Sequence, residues 1–336
     1  MQNNESERMK IMLRVASAAE KYVMQLERDC FYPGCGCKAI NSHSQQRRGA
    51  LSAIAKKGKV VVVSRDAAST LKRSNKYEYP KARFFEHDIA KASVFKGFCN
   101  HHDTQLFSAI ETRPLSKDDP DQVLALYRRA VSYEYIREAE GLLNLRCQAM
   151  ALGIEGEDFQ LPASWARQQE MLLDSNDIYY IDPMWADDYV NELNWVWRVL
   201  PGNVNVSMTS MMPPITEEEV FKETDPFWDW DNKVMACACP ATSFTLIPGE
   251  RESHAIMIWT KFNDKYMNDY KSRLLSSDDS VVKGLLNEVV FVKSEDYCVS
   301  PKLWKRLSNS EKDLLSYAII KDNFRGPLNR MPNVII

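Results

Sequence analysis

No apolar run in this 336-residue chain approaches the ~20 residues a membrane-spanning helix needs, so no membrane segment is expected. The opening stretch MQNNESERMKIMLRVASAAEKYV has no charged start followed by a long apolar block. It does not read as a secretion signal. Glycine (12) and proline (15) are sparse, which excludes a fibrous or disordered chain. Eight cysteines are too few for a secreted disulfide scaffold of this length. A reduced, cytoplasmic chain is expected, and there clustered Cys and His point to metal. Familiar catalytic signatures are also missing. The chain has no P-loop, no G-x-G-x-x-G, no G-x-S-x-G turn and no H-E-x-x-H. These gaps remove several easy enzyme assignments without removing catalysis itself.

What is present supports a folded protein. Hydrophobic residues make up 45% of the chain, and its length suits one large domain or two ordinary ones. The formal net charge of −3 hides an uneven distribution. Between Lys38 and Arg83 stand twelve Lys and Arg against only Asp66 and Glu78. Such a segment either meets a polyanion or packs against the acidic remainder of the chain.

Residues 5–29 read as a helix with Ile11, Leu13, Val15, Ala18, Val23, Met24 and Leu26 on a rough apolar face. Pro33, Gly34 and Gly36 stop it. Residues 49–58 read as a short helix with Gly58 as C-cap, and the valines of 59–65 as a strand. A polar, basic loop is expected over 66–83. The clearest helix covers 119–150, with Asp119 or Asp121 as cap and Val123, Leu126, Ala130 and Tyr133 at helical spacing. A second part begins near Gly153–Pro162, and PASWARQQEMLLDSN is a helix candidate. Residues 191–212 read as two strands joined by the Pro-Gly-Asn turn at 201–203, and 232–262 as three more. The rest is mostly helical, with Ser310 as a candidate cap of the last helix. The expected class is α+β: a domain over 1–152 with a zinc knuckle, helices and a basic segment, and a domain over 153–336 with antiparallel strands around 191–262 and C-terminal helices.

Two clusters carry the chemistry. Cys30 and Cys35 stand in a C-x4-C arrangement with Cys37 two residues on, and Cys99 and His102 form a C-x2-H pair. A tetrahedral zinc ion wants four such donors, and two short chelating turns brought together by folding supply them. The expected ligands are Cys30, Cys35, Cys99 and His102; Cys37 could replace Cys35, and His101 could replace His102. The glycines beside Cys35 let the backbone turn tightly there. His43 is either a further ligand, a catalytic residue or a hydrogen-bonded histidine of the metal turn.

The order C-x4-C … SH … FC-x2-HD … LF … IE resembles a family of bacterial proteins of uncharacterised function. It is carried by Cys30, Cys35, Ser42, His43, Phe98, Cys99, His102, Asp103, Leu106, Phe107, Ile110 and Glu111. The later EDYCVSPKLWKRL (295–307) looks like that family's C-terminal part. Some such proteins sit among mobile-element and phage-defence genes, so the resemblance implies a defence or toxin role. The same order is loosely similar to the treble-clef layout of HNH nucleases. That likeness implies His43 as general base, with Asp103 or Glu111 beside a second divalent ion such as Mg2+. The chain departs from it in having Ser42-His43 at the catalytic strand and a long gap from His43 to Cys99.

Other features are more ordinary. Cys237 and Cys239 fit core packing in a strand, His254 lacks a nucleophile motif, and Cys147 and Cys298 look solitary. DPFWDWDNK (225–233) sets acids among aromatics, in a loop that either binds a cation or sugar or plugs the core. Arg128, Arg129, Glu134 and Glu138 brace a helix surface or, if buried against the knuckle, form a phosphate or catalytic pocket. The expected function is a zinc-stabilised protein that engages nucleic acid through its basic segment, with Tyr77 and Tyr79 stacking on bases. The alternatives are a protein-interaction module with structural zinc, and an enzyme acting on a nucleotide.

Overall fold

The computed structural model describes residues 2–63, 82–152, 166–167, 169–171, 173–174, 180–212, 214, 227–229, 234–236, 242–294 and 296–320. Helices are mixed with an antiparallel sheet, the α+β class that the sequence implies. Helix α1 (Gln2–Gln25) ends just before the first cysteine cluster. Its buried side chains are Ala19 and Val23, whereas Ile11 and Met24, expected on the apolar face, are exposed. Strand β1 (Asn41–His43) pairs with β4 (Val94–Lys96). Between them the chain leaves to form β2 (Lys59–Val63) and β3 (Phe84–Asp88). Helix α2 (Asn100–Thr112) follows β4, and α3 (Pro120–Leu152) follows α2. Asp119 caps α3, accepting from the amides of Asp121 at 3.1 Å and Gln122 at 3.3 Å.

The expected helix over 49–58 is instead a π-helical turn, Arg47–Leu51, running into a short helix, Ser52–Ile54. Gly58 is not its cap. Lys57 (φ 53°) and Gly58 (φ 72°) form a tight turn that bridges Lys56 to Lys59, and the glycine relieves one of two left-handed positions.

In the second half come β5 (Leu193–Pro201), β6 (Val206–Met212), the small pair β7 (Phe227–Asp229) and β8 (Val234–Ala236), β9 (Thr242–Ile247) and β10 (Glu252–Thr260). Then come α4 (Asn268–Leu274), α5 (Asp279–Phe291), β11 (Tyr297–Val299), α6 (Pro301–Arg306) and α7 (Asn309–Ile320). The cap of α7 is Ser308 rather than Ser310. Its hydroxyl accepts from the Glu311 amide at 3.3 Å, while Glu311 Oε2 accepts from the Ser308 amide at 2.7 Å, a reciprocal capping box.

The main sheet has seven strands in the order β3-β2-β11-β6-β9-β10-β5, every neighbour antiparallel. Strands β5 and β6 follow each other through Gly202 (φ 71°), yet they are not neighbours. The β9–β10 hairpin lies between them. The sheet also crosses the 152/153 boundary, because β2 and β3 join it through β11.

Each face of the sheet carries its own core. On one, Met208, Phe244, Leu246, Met257 and Trp259 meet Leu274, Val282, Leu285, Leu286, Val289 and Leu303 of α4, α5 and α6. On the other, Trp197, Ile247, Ile256 and Ile258 meet Phe95, Phe98, Phe107, Ile110 and the first half of α3. The features expected at 66–81, 225–226, 230–233 and 237–239, including Tyr77, Tyr79, Cys237 and Cys239, lie outside the described residues; of the helix candidate at 162–176, the described positions are helical.

Candidate metal centre

The metal-bearing module begins where α1 stops. Gly34 adopts φ 72°, a left-handed turn that reverses the chain between Cys30 and Cys35. Backbone hydrogen bonds then lock the loop: Cys30 N–H to Cys37 O at 2.8 Å, and Cys35 N–H to Tyr32 O at 3.1 Å. Two further bonds zip it to the second cluster, Phe31 N–H to Gly97 O at 2.8 Å and Ile40 N–H to Phe98 O at 2.7 Å. Cys99 occupies the N-cap of α2, so its sulfur and the His102 ring sit on the first turn of one helix.

This places one donor atom each from Cys30, Cys35, Cys99 and His102 within 4.8 Å of one another, close enough to hold one metal ion. His102 Nδ1 lies 3.4 Å from the sulfurs of both Cys30 and Cys99, and the Cys35 and Cys99 sulfurs are 4.0 Å apart. The donor chemistry fits such an ion. Three thiols and an imidazole crowd a half-buried point with no carboxylate among them. Of the alternatives, Cys37 is exposed and outside the group of four, and His101 is exposed with its ring against the His102 ring.

The four donors differ in their electrostatics. Burial pushes the Cys30 thiol up to about 11. The Cys99 thiol is held below its ordinary value, chiefly because the His102 amide donates to it at the helix start. Burial lowers the His102 imidazole, which favours the neutral ring a metal needs. An aromatic shell closes over the centre. Tyr32 stacks on the His102 ring at 4.0 Å, and Trp185 packs edge-on against Phe31, Tyr32 and Phe98. Trp185 was invisible as a site residue, since nothing in its local sequence ties it to cysteines far upstream.

His43 ends β1, half-buried, outside the group of four. Its Nδ1 lies 3.0 Å from the Ala92 carbonyl oxygen. A carbonyl can only accept, so Nδ1 carries the proton and the neutral ring leaves Nε2 as a lone pair. Burial lowers its proton affinity, with Arg47 and Arg129 acting in the same direction and the Ala92 hydrogen bond and Asp103 opposing. Asp103 lies in the first turn of α2, and its amide donates to Cys99 O at 2.9 Å. Glu111, at the far end of α2, accepts from Arg129 of α3 at 2.7 Å. The Arg129 guanidinium also lies 4.4 Å over the Phe107 ring. Arg128 reaches across to the carbonyls of Met184 at 2.9 Å and Ala186 at 3.1 Å.

No family model matches the chain, and neither a curated protein nor a solved structure does. No helix among the described residues is long and apolar enough to cross a membrane.

Proposed function

We propose that Cys30, Cys35, Cys99 and His102 hold a structural zinc ion, and that the module it closes engages nucleic acid through the basic segment. The four-donor cluster carries this reading. Three sulfurs and one nitrogen suit Zn2+, and four protein donors leave no open position for substrate. The arrangement supports a treble-clef-like module: a cysteine turn, an antiparallel strand pair, and a helix whose first turn supplies the remaining two ligands. The nucleic-acid part rests on charge. Arg47, Arg48, Lys56, Lys57 and Lys59 are exposed, and none forms an ion pair among the described residues. Phosphate neutralisation by such side chains makes binding fall steeply with salt.

Metal analysis and gel shift test the two halves separately. One equivalent of zinc in wild type and its loss in Cys30→Ser are expected. A gel-shift series should weaken steeply between 50 and 200 mM salt, as expected for several phosphate contacts. A flat salt response, or co-purification with a stoichiometric protein partner and no nucleic acid, would favour the interaction module instead.

A hydrolytic reading is favoured by one observation, the Nδ1 contact of His43 to Ala92 O. It orients the imidazole as a base whose free Nε2 can take a proton from water. Asp103 or Glu111 would then stand beside a second divalent ion such as Mg2+; the two lie about two turns apart on α2, and Glu111 is already engaged by Arg129. In this reading His43→Ala retains zinc and fold but loses nuclease activity or toxicity. Loss of zinc in that variant would make His43 a ligand. The resemblance to bacterial defence proteins supplies the setting for a toxin effector, and a nucleotide panel left unchanged would retire the small-molecule enzyme.

A further inference from the structure

The face of the main sheet that meets α3 is not uniformly apolar. Alternation puts Ser207 and Thr209 of β6 and Ser243 and Thr245 of β9 on it, with Thr209 directly opposite Thr245. Ordinary sheet faces under a helix carry aliphatics there. Above this polar strip lie Arg129 of α3 and the residues that follow His43. Together they line a narrow cleft whose walls include Ser44, Gln45, Arg129, Ser207, Thr209 and Thr245. The empty space in and around the cleft is ≈220 Å3, open solvent at its mouth included, so it is no site for a whole organic ligand. As a whole it has room for about one water-sized group.

Three side chains in this wall are more than nine-tenths buried and have polar atoms without a hydrogen-bond partner. They are Gln45 (2% exposed; both Nε2 and Oε1), Thr245 (3%; Oγ1) and Arg129 (4%; Nε). Buried polar atoms are costly unless something pairs with them, and residues lining this one cleft hold four. Three of these atoms can donate, one of them from a guanidinium.

We infer that this cleft is a binding site for a phosphate group, which inserts one oxygen against Arg129, Gln45 and Thr245 while the rest of the group and its ligand stay at the mouth. Guanidinium, amide and hydroxyl donors converging on a buried point are the chemistry of oxyanion recognition, and Arg gives it geometric specificity. Two carboxylates border the cleft, and both are engaged: Glu111 accepts from Arg129 at 2.7 Å, and Asp296 accepts from Ser44 Oγ at 3.3 Å. Gln45 is two residues along the chain from His43, although the His43 side chain does not line the cleft. The choice of phosphate rests on the nucleic-acid reading, but the site does not require zinc or catalysis.

Calorimetry and thermal melting of the full chain with inorganic phosphate, against chloride at matched ionic strength, test it. Phosphate should bind and raise the melting temperature where chloride does not. Gln45→Leu and Thr245→Val remove unpaired polar atoms, so both should melt at or above wild type while weakening phosphate binding about tenfold or more. A merely structural role would not lower affinity while sparing stability. A 5′-phosphorylated oligonucleotide binding more tightly than its unphosphorylated twin would assign the site to a terminal phosphate; equal binding, lost in both variants, would assign it to the phosphodiester backbone. Absence of a phosphate-specific effect in wild type, or unchanged phosphate affinity in both variants, overturns the inference. Either result can occur with the salt-dependent gel shift intact, so this failure is distinct from failure of the proposed function.

Discussion

The two faces of the central sheet are built on different principles. The face under α4, α5 and α6 is almost wholly aliphatic and aromatic, and its residues are held by removal of apolar area from water. The face under α3 mixes large aromatics with serines, threonines, a buried arginine and a Cys3His cluster at its rim. The first face holds itself together almost entirely by apolar packing. The other is complete only when polar atoms and thiols find partners, which is where binding chemistry can reside.

The largest expected break in this contrast is removal of metal. Chelation, or Cys30→Ser, should raise hydrogen exchange first in 28–47 and 93–112, leaving β9, β10 and α5 protected. Simultaneous loss of protection on both faces would show that they are one cooperative unit. Next is Leu285→Ala on the aliphatic face, where the side chain is fully buried. It should cost about 2–5 kcal/mol in denaturant unfolding and leave metal content unchanged.

The third test uses acid. His254 on β10 accepts a hydrogen bond at Nδ1 from Trp197 Nε1–H at 3.0 Å, and burial lowers its proton affinity below the ordinary 6.5. The unfolded chain therefore takes up the proton first as pH falls. Stability from this site is present above about pH 6.5 and is lost below it, with a slope of at most about 1.4 kcal/mol per pH unit. His254→Gln, which keeps an acceptor without titrating, should flatten the melting temperature between pH 7 and 5. An unchanged slope would move the acid sensitivity to His43 or His87, whose imidazoles are also lowered by burial. The smallest effect is local: Ser308→Ala opens the α7 capping box and should cost about 1 kcal/mol without touching either the metal or the cleft.

Legibility in the sequence followed the range of the signal. Helix α3 is visible because its apolar periodicity and Asp119 cap are local. The four clustered donors are visible because only Cys and His at short spacing make a chelating turn. The partner order of the sheet is not local. Nothing in Leu193–Met212 says that β9 and β10 will separate β5 from β6. Strand β11 is three residues long and carries no alternation to detect. Strand β3 contains Glu86, His87 and Asp88, so it hides at the end of a polar stretch. The polar cleft was beyond reach for the same reason: Ser207, Thr209 and Thr245 look like ordinary strand residues until the register sets them under Arg129.

The three residues Tyr297–Val299 have a consequence for how the molecule is made. Among the described strands they alone connect the β2–β3 pair to the rest of the sheet, and they follow it in the chain by some two hundred residues. A growing chain must therefore carry β2 with its inner edge unsatisfied until β11 has emerged, a period when such edges invite wrong partners. All four metal donors have emerged once His102 has, so an ion captured then would tether that waiting hairpin at its base until its keystone arrives.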